Sequence, residues 1–167
     1  MFSKGSLVLY GTNGVCEITE IARLPFDRSN ADLQYYYLKP LNAMDGCVIY
    51  APTVSERCTM RPLLSEKEMQ SFLDNIPQIE ALCVENEKTR RDLYKSVMQQ
   101  LSPEGCVSLI RSVQSRRESG TRKHLSETDM EFEAMALKNV SMELSCVMGI
   151  PLADAQKTIE DRIGSSV

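Results

Sequence analysis

The hydrophobic period of this 167-residue chain changes once, close to Arg61-Pro62, and that change restricts the fold more than any single motif. On the N-terminal side the apolar runs are short, rich in β-branched and aromatic residues and separated by turn residues, which is the pattern of strands. On the C-terminal side apolar residues recur every three or four positions, the pattern of helix faces. A chain that keeps strands and helices in separate blocks reads as α+β, here a small antiparallel sheet followed by an all-α bundle. The expected division is residues 1–62 and residues 63–167.

Residues 1–62 hold five of the six tyrosines and four of the seven prolines. Five strands are predicted, at 6–10, 15–23, 33–40, 47–51 and 58–61. About 60 residues in five short strands cannot form two packed sheets, so a strongly bent antiparallel sheet or small barrel is expected. Asn13-Gly14 tolerates positive φ and suits a tight hairpin between the first two strands.

In the second half Ser65 with Glu68 reads as a capping box that opens a helix over 66–75, with Met69, Phe72 and Leu73 on one face. Pro77 is expected to start a short helix. A longer one is predicted over 86–101, its Leu93, Val97 and Leu101 facing the core. Ser102 and Pro103 supply a cap and a first-turn proline for the next, striped by Cys106, Leu109, Ile110 and Val113. Ser126 caps a long helix whose Met130, Ala134, Leu137, Val140, Leu144 and Val147 form the expected apolar stripe, until Gly149 gives a left-handed stop. A last helix, with Leu152, Ala155, Ile159 and Ile163, completes the bundle.

Charge divides unevenly along this chain. The total is -4, yet residues 87–126 hold nine basic and four acidic side chains, a local excess of five positive charges. A run of this kind is either a solvated helix face or a polyanion site. Lys88, Arg91 and Lys95 are spaced three and four apart and so share one side of a helix, with Arg90 adjacent. Arg111, Arg116, Arg117, Arg122 and Lys123 extend that surface if the two central helices pack antiparallel.

Catalytic and metal chemistry find little to work with. Six cysteines are scattered without a C-x-x-C pair, and His124 is the single histidine, in the polar stretch Thr121-Arg122-Lys123-His124. Neither a zinc site nor a Cys-His or Ser-His-Asp nucleophile is expected. Glycine-rich phosphate loops are also absent from the sequence, so no cofactor, small-molecule substrate or enzymatic reaction is predicted. The cysteines read as buried reduced thiols. No apolar run reaches the roughly 18 residues of a bilayer span, and the opening Met1-Phe2-Ser3-Lys4-Gly5 has no basic segment leading an apolar core, which predicts a cytoplasmic protein without membrane contact.

Several strings in order resemble the CarD/CdnL family of bacterial RNA polymerase-binding transcription regulators. Lys4-Gly5-Ser6-Leu7-Val8-Leu9-Tyr10, Asn13-Gly14-Val15 and Ile18-Thr19-Glu20-Ile21 are similar to the family's opening. Tyr35-Tyr36-Tyr37-Leu38-Lys39-Pro40 and Val48-Ile49-Tyr50-Ala51-Pro52 resemble its third and fourth strands. Leu109-Ile110-Arg111-Ser112-Val113, Arg116-Arg117, Leu125-Ser126-Glu127 and Cys146-Val147-Met148-Gly149-Ile150 resemble later segments in the same order. The resemblance implies a Tudor-like N-terminal barrel that binds the RNA polymerase β subunit. It also implies a helical domain that meets promoter duplex DNA upstream of the transcription bubble, weakly and without base readout, and so modulates open-complex stability.

By the same resemblance Arg23, at the end of the second strand, serves the polymerase contact, and the fourth-strand basic position falls on Tyr50. The family's minor-groove tryptophan has no counterpart, since the chain contains no tryptophan, and its position falls at Arg90. Arginine suits the negative potential of a minor groove but does not unstack a base step. The implied DNA-facing set is therefore Lys88, Arg90, Arg91, Lys95, Arg111, Arg116, Arg117, Arg122 and Lys123. An interaction module of the same fold without DNA contact is the alternative.

Overall fold

The computed structural model describes residues 1–25, 32–42, 46–54, 60–84, 86, 88–119 and 125–164. Five strands precede five α-helices, and the chain divides into two compact units, Met1–Leu63 and Leu64–Val167.

The first unit is one antiparallel sheet of β1 (Leu7–Tyr10), β2 (Val15–Arg23), β3 (Gln34–Pro40), β4 (Ile49–Pro52) and β5 (Met60–Pro62). The strands lie in the order β4-β3-β2-β1-β5, so among the described residues β4 and β5 are its two ends and the pairing does not close. Strands alternate their side chains between faces, and the register sorts them accordingly. Val8, Cys16, Ile18, Tyr36, Leu38 and Ala51 form the buried cluster on one face. Opposite them, Glu17 pairs with Lys39, Glu20 with Tyr37 and Tyr37 with Tyr50. A register shift between Ile18 and Glu20 inserts Thr19 as an extra residue, whose hydroxyl donates to the Tyr37 carbonyl at 3.1 Å. Such a bulge sharpens local twist and bends the sheet. The β1–β2 connection is a 3-10 turn, Gly11–Asn13, ending at Gly14 with φ 75°, where a side chain would be strained.

The second unit contains α1 (Glu66–Asn75), α2 (Arg90–Gln99), α3 (Pro103–Glu118), α4 (Glu127–Met148) and α5 (Leu152–Gly164). Their starts follow the sequence signals. Ser65 and Glu68 make a reciprocal capping box, Ser102 accepts from the Gly105 amide ahead of Pro103, and Ser126 caps α4. Gly149 ends α4 at φ 64°. Two elements differ from expectation. Pro77 lies in a single 3-10 turn, Ile76–Gln78, instead of a helix. The helix expected from residue 86 begins at Arg90, because Asn86 folds the preceding chain into a turn, accepting the Lys88 amide on its side chain and the Thr89 amide on its carbonyl.

The apolar stripe of α4 also differs. Met130 is 51% exposed and Ala134 is exposed, while Phe132, Ala136, Val140 and Leu144 enter the core with Met69, Phe72, Tyr94, Leu109 and Ile159. This helix is apolar on more than one side, and its buried face carries Asp129, Asn139, Ser141 and Glu143, residues that a hydrophobic pattern excludes. Glu143 is accommodated because its carboxylate accepts the Leu64 amide at 2.9 Å. Among the described residues Cys16, Cys47, Cys83, Cys106 and Cys146 are free, and the expected burial holds only in part: Cys16 and Cys106 are buried, Cys146 is half-buried, and Cys47 and Cys83 are exposed, while Cys58 lies outside the described residues. Among the described residues no helix is long and apolar enough to cross a membrane.

Candidate functional site

The basic residues of the helical unit meet three different fates. Arg90 and Arg116 turn inward. Arg90, the first residue of α2, places Nε 3.0 Å from Asp129 Oδ1 and donates from Nη2 to Ser126 Oγ at 3.0 Å. Arg116, in the last turn of α3, lies with Nε 3.9 Å from the same oxygen. The start of α2 and the end of α3 thus meet at one carboxylate, which makes the two helices antiparallel. Side-chain exposures of 12% for Arg90 and 24% for Arg116 leave little of either guanidinium to an external anion.

Asp129 is the centre of this cluster. It is the third residue of α4, where its carboxylate accepts the Ser126 amide at 3.0 Å and hydroxyl at 2.8 Å, while its own amide donates to Ser126 Oγ. The Tyr94 hydroxyl of α2 donates to it at 3.2 Å, and the Tyr94 ring packs on Phe132 with centroids 5.6 Å apart. Burial by itself raises the Asp129 pKa, but the Ser126 hydrogen bonds and the two guanidinium charges outweigh it and hold the group below its ordinary 3.8. Tyr94 is raised, first by burial. These contacts join α2, α3 and α4 around one charge.

Arg111 is also engaged internally, its Nη2 donating to the Ile76 carbonyl at 3.1 Å and so tying α3 to the 3-10 turn. Arg117 is half exposed but forks onto Glu133 of α4, with Nη2 2.6 Å from Oε2 and Nη1 3.3 Å from Oε1. Both Arg116 and Arg117 sit where cations complement the negative end of α3.

Lys88, Arg91 and Lys95 remain. All three are exposed, and none forms an ion pair among the described residues. Arg91 and Lys95 are four residues apart on α2, and Lys88 stands in the turn just before it. Thr89 provides no side-chain cap, so the first turn of α2 carries backbone amides, two arginines and one acidic residue, Asp92, at a helix end that is already positive. Arg122 and Lys123 lie outside the described residues.

In the sheet unit the two expected contact residues are not brought together. Arg23 pairs with Gln34 and Tyr50 with Tyr37, an odd offset along β3, so the pleat directs them to opposite faces. Arg23 is exposed and lies 3.6 Å from Asp32. Tyr50, 42% exposed on the terminal strand β4, meets Tyr37 edge to face with ring centroids 4.8 Å apart. The Tyr37 hydroxyl donates to the Arg23 carbonyl at 3.3 Å, and its pKa is raised, first by burial and then by Glu20. The row formed by Glu20, Tyr37 and Tyr50 was not singled out from sequence, although the triple tyrosine and the alternation of a paired strand would have located it.

Among the described residues no group of His, Cys, Asp and Glu is arranged to hold a metal ion. Cys16 is pushed up to about 11, first by burial and then by Cys47, so its thiol stays protonated near neutrality. A scan against protein-family models finds no match, and a search of curated proteins finds none either.

Proposed function

We propose that the protein is a transcription regulator of the CarD/CdnL type. Its N-terminal unit, a Tudor-like open barrel, binds the RNA polymerase β subunit through its exposed β4 edge and the neighbouring face. Its helical unit touches promoter duplex DNA upstream of the bubble, adds no base readout, and alters the lifetime of the open complex without catalysing a reaction. The ordered resemblance of strings from Lys4 to Ile150 supports the family, and the bent five-stranded sheet followed by helices agrees with it.

One observation carries the DNA part: Lys88 and Arg91 are exposed at the start of α2, where Thr89 gives no side-chain cap, Lys95 follows one turn beyond Arg91, and none of the three has an ion-pair partner among the described residues. Cations at a helix N-terminus oppose the macrodipole and cost stability, so their placement there needs a reason outside the helix. A row of DNA phosphates supplies one, with backbone amides of the first turn adding donors. The proposed contact is consequently smaller than the nine-residue set read from sequence. Arg90, Arg111 and Arg116 act by holding the bundle together.

The alternative, an interaction module of the same fold without DNA contact, is favoured by those inward-turned arginines and by the Arg117–Glu133 pair, which together reduce the positive surface. The salt dependence of open-complex lifetime separates the two readings. Three phosphate contacts steepen the slope of log affinity against log salt by about three, and the Arg91→Ala/Lys95→Ala variant flattens it by about two. A slope identical in wild type and variant, with polymerase still bound, refutes the DNA contact.

A further inference from the structure

We propose that Glu20, Tyr37 and Tyr50 form a cradle for one arginine or lysine side chain, presented by an extended segment of a protein partner lying along β4. The inference deepens the polymerase reading and rests on it for the partner's identity, whereas the chemistry of the recognised side chain follows from the sheet. Glu20 on β2, Tyr37 on β3 and Tyr50 on β4 stand directly opposite one another, on the face away from the buried Ile18, Tyr36, Leu38 and Ala51. This row runs across the strands and ends at β4, the last strand of the sheet among the described residues. A segment added beside β4 continues the row, because the pleat puts its residue opposite Tyr50 on the same face.

Three properties select that residue. The Tyr37 and Tyr50 rings meet at 89°, and an aromatic face attracts a cation through its quadrupole. The exposed carboxylate of Glu20 closes the inner end of the row and forms no ion pair among the described residues, whereas Glu17 on the same face stands opposite Lys39. Distance is the third. From an added strand to β2 is three inter-strand spacings, about 14 Å, so a short side chain stops at the first ring. Arginine and lysine lay an apolar stem across the rings and carry a charge toward Glu20. A leucine has no charge to bring to the carboxylate, and a glutamate is repelled by it.

The test uses the intact protein and three blocked ten-residue strand-forming peptides, identical except that alternate positions carry arginine, leucine or glutamate. Amide chemical-shift titration reads affinity and location together. The arginine peptide is expected to bind about two- to five-fold more tightly than the leucine peptide, the ratio of an exposed cation–π contact, with shifts centred on β4 and the row. Tyr50→Leu and Glu20→Gln each reduce that preference, while Tyr50→Phe keeps it because the ring remains. Equal binding of the leucine or glutamate peptide, no binding of any peptide, or a preference unchanged in Tyr50→Leu overturns the proposal. A second arm titrates the isolated RNA polymerase β subunit. Binding weakened several-fold by Tyr50→Leu but not by Tyr50→Phe supports the cradle, and binding that survives both Tyr50→Leu and Glu20→Gln overturns it. A β subunit that ignores the wild-type protein while the arginine preference persists overturns the polymerase reading and supports the cradle on its own.

Discussion

Replacing Asp129 by asparagine keeps the shape of the side chain and one acceptor oxygen, turns into an amide donor either the position that accepts from Tyr94 or the one that accepts from Ser126, and removes the one negative charge between Arg90 and Arg116. Removing one member of a fully buried ion pair costs about 3–5 kcal/mol, chiefly because the remaining charge is left in low dielectric. Both guanidinium groups here retain some solvent, which reduces the expected loss to about 2–3 kcal/mol. For a helical unit of this size that corresponds to a fall in melting temperature of about 10–20 °C. Circular dichroism at 222 nm follows that unit selectively, since the α-helices described all lie in it. Acid provides an independent check. The Asp129 pKa is below 3.8 in the folded state, so between the folded and unfolded values the unfolded chain binds the extra proton. The stabilisation is complete above the ordinary carboxylate range and is lost as pH falls below about 4 through the folded value. The helical signal of the wild type should therefore lose stability over that window more steeply than that of Asp129→Asn. A shift in melting temperature under about 4 °C, with no difference in acid sensitivity, refutes the view that this carboxylate joins the three helices.

Adjacent arginines should separate cleanly: Arg90→Ala lowers helical stability by about 2 kcal/mol in urea titration, whereas Arg91→Ala changes it by less than about 0.5 kcal/mol. Ser126→Ala removes the α4 cap and is expected to cost about 1 kcal/mol by the same titration. Leu144→Ala, at a side chain wholly inside the core, should cost about 2–5 kcal/mol, while Met130→Ala on the face first read as buried should be nearly neutral. Gly149→Ala places a Cβ at φ 64° and should cost about 1 kcal/mol in the thermal melt, even though nothing lies within 4 Å of that Cβ.

Local signals in the sequence settled much of this architecture because their causes are local. The change of period at Arg61-Pro62 separates strands from helices, Ser65, Ser102 and Ser126 mark helix starts through bonds to amides three residues on, and Gly149 marks an end through its own φ. The alternation along 34–40 fixes which tyrosines share a face. What the chain alone did not reveal depends on partners distant in sequence. The Met130 and Ala134 stripe and the Phe132 and Ala136 stripe are both apolar, and packing against α1, α2, α3 and α5 selects the second, together with a buried aspartate and glutamate. Charge spacing likewise identified a basic block but not its direction. Arg90 and Arg91 are adjacent and chemically identical, and one points at Asp129, 39 residues later, while the other points at solvent because a helix turns about 100° per residue. A one-dimensional pattern gives the angle between neighbouring side chains, and only the assembled bundle supplies the carboxylate that decides which of them remains available to a partner.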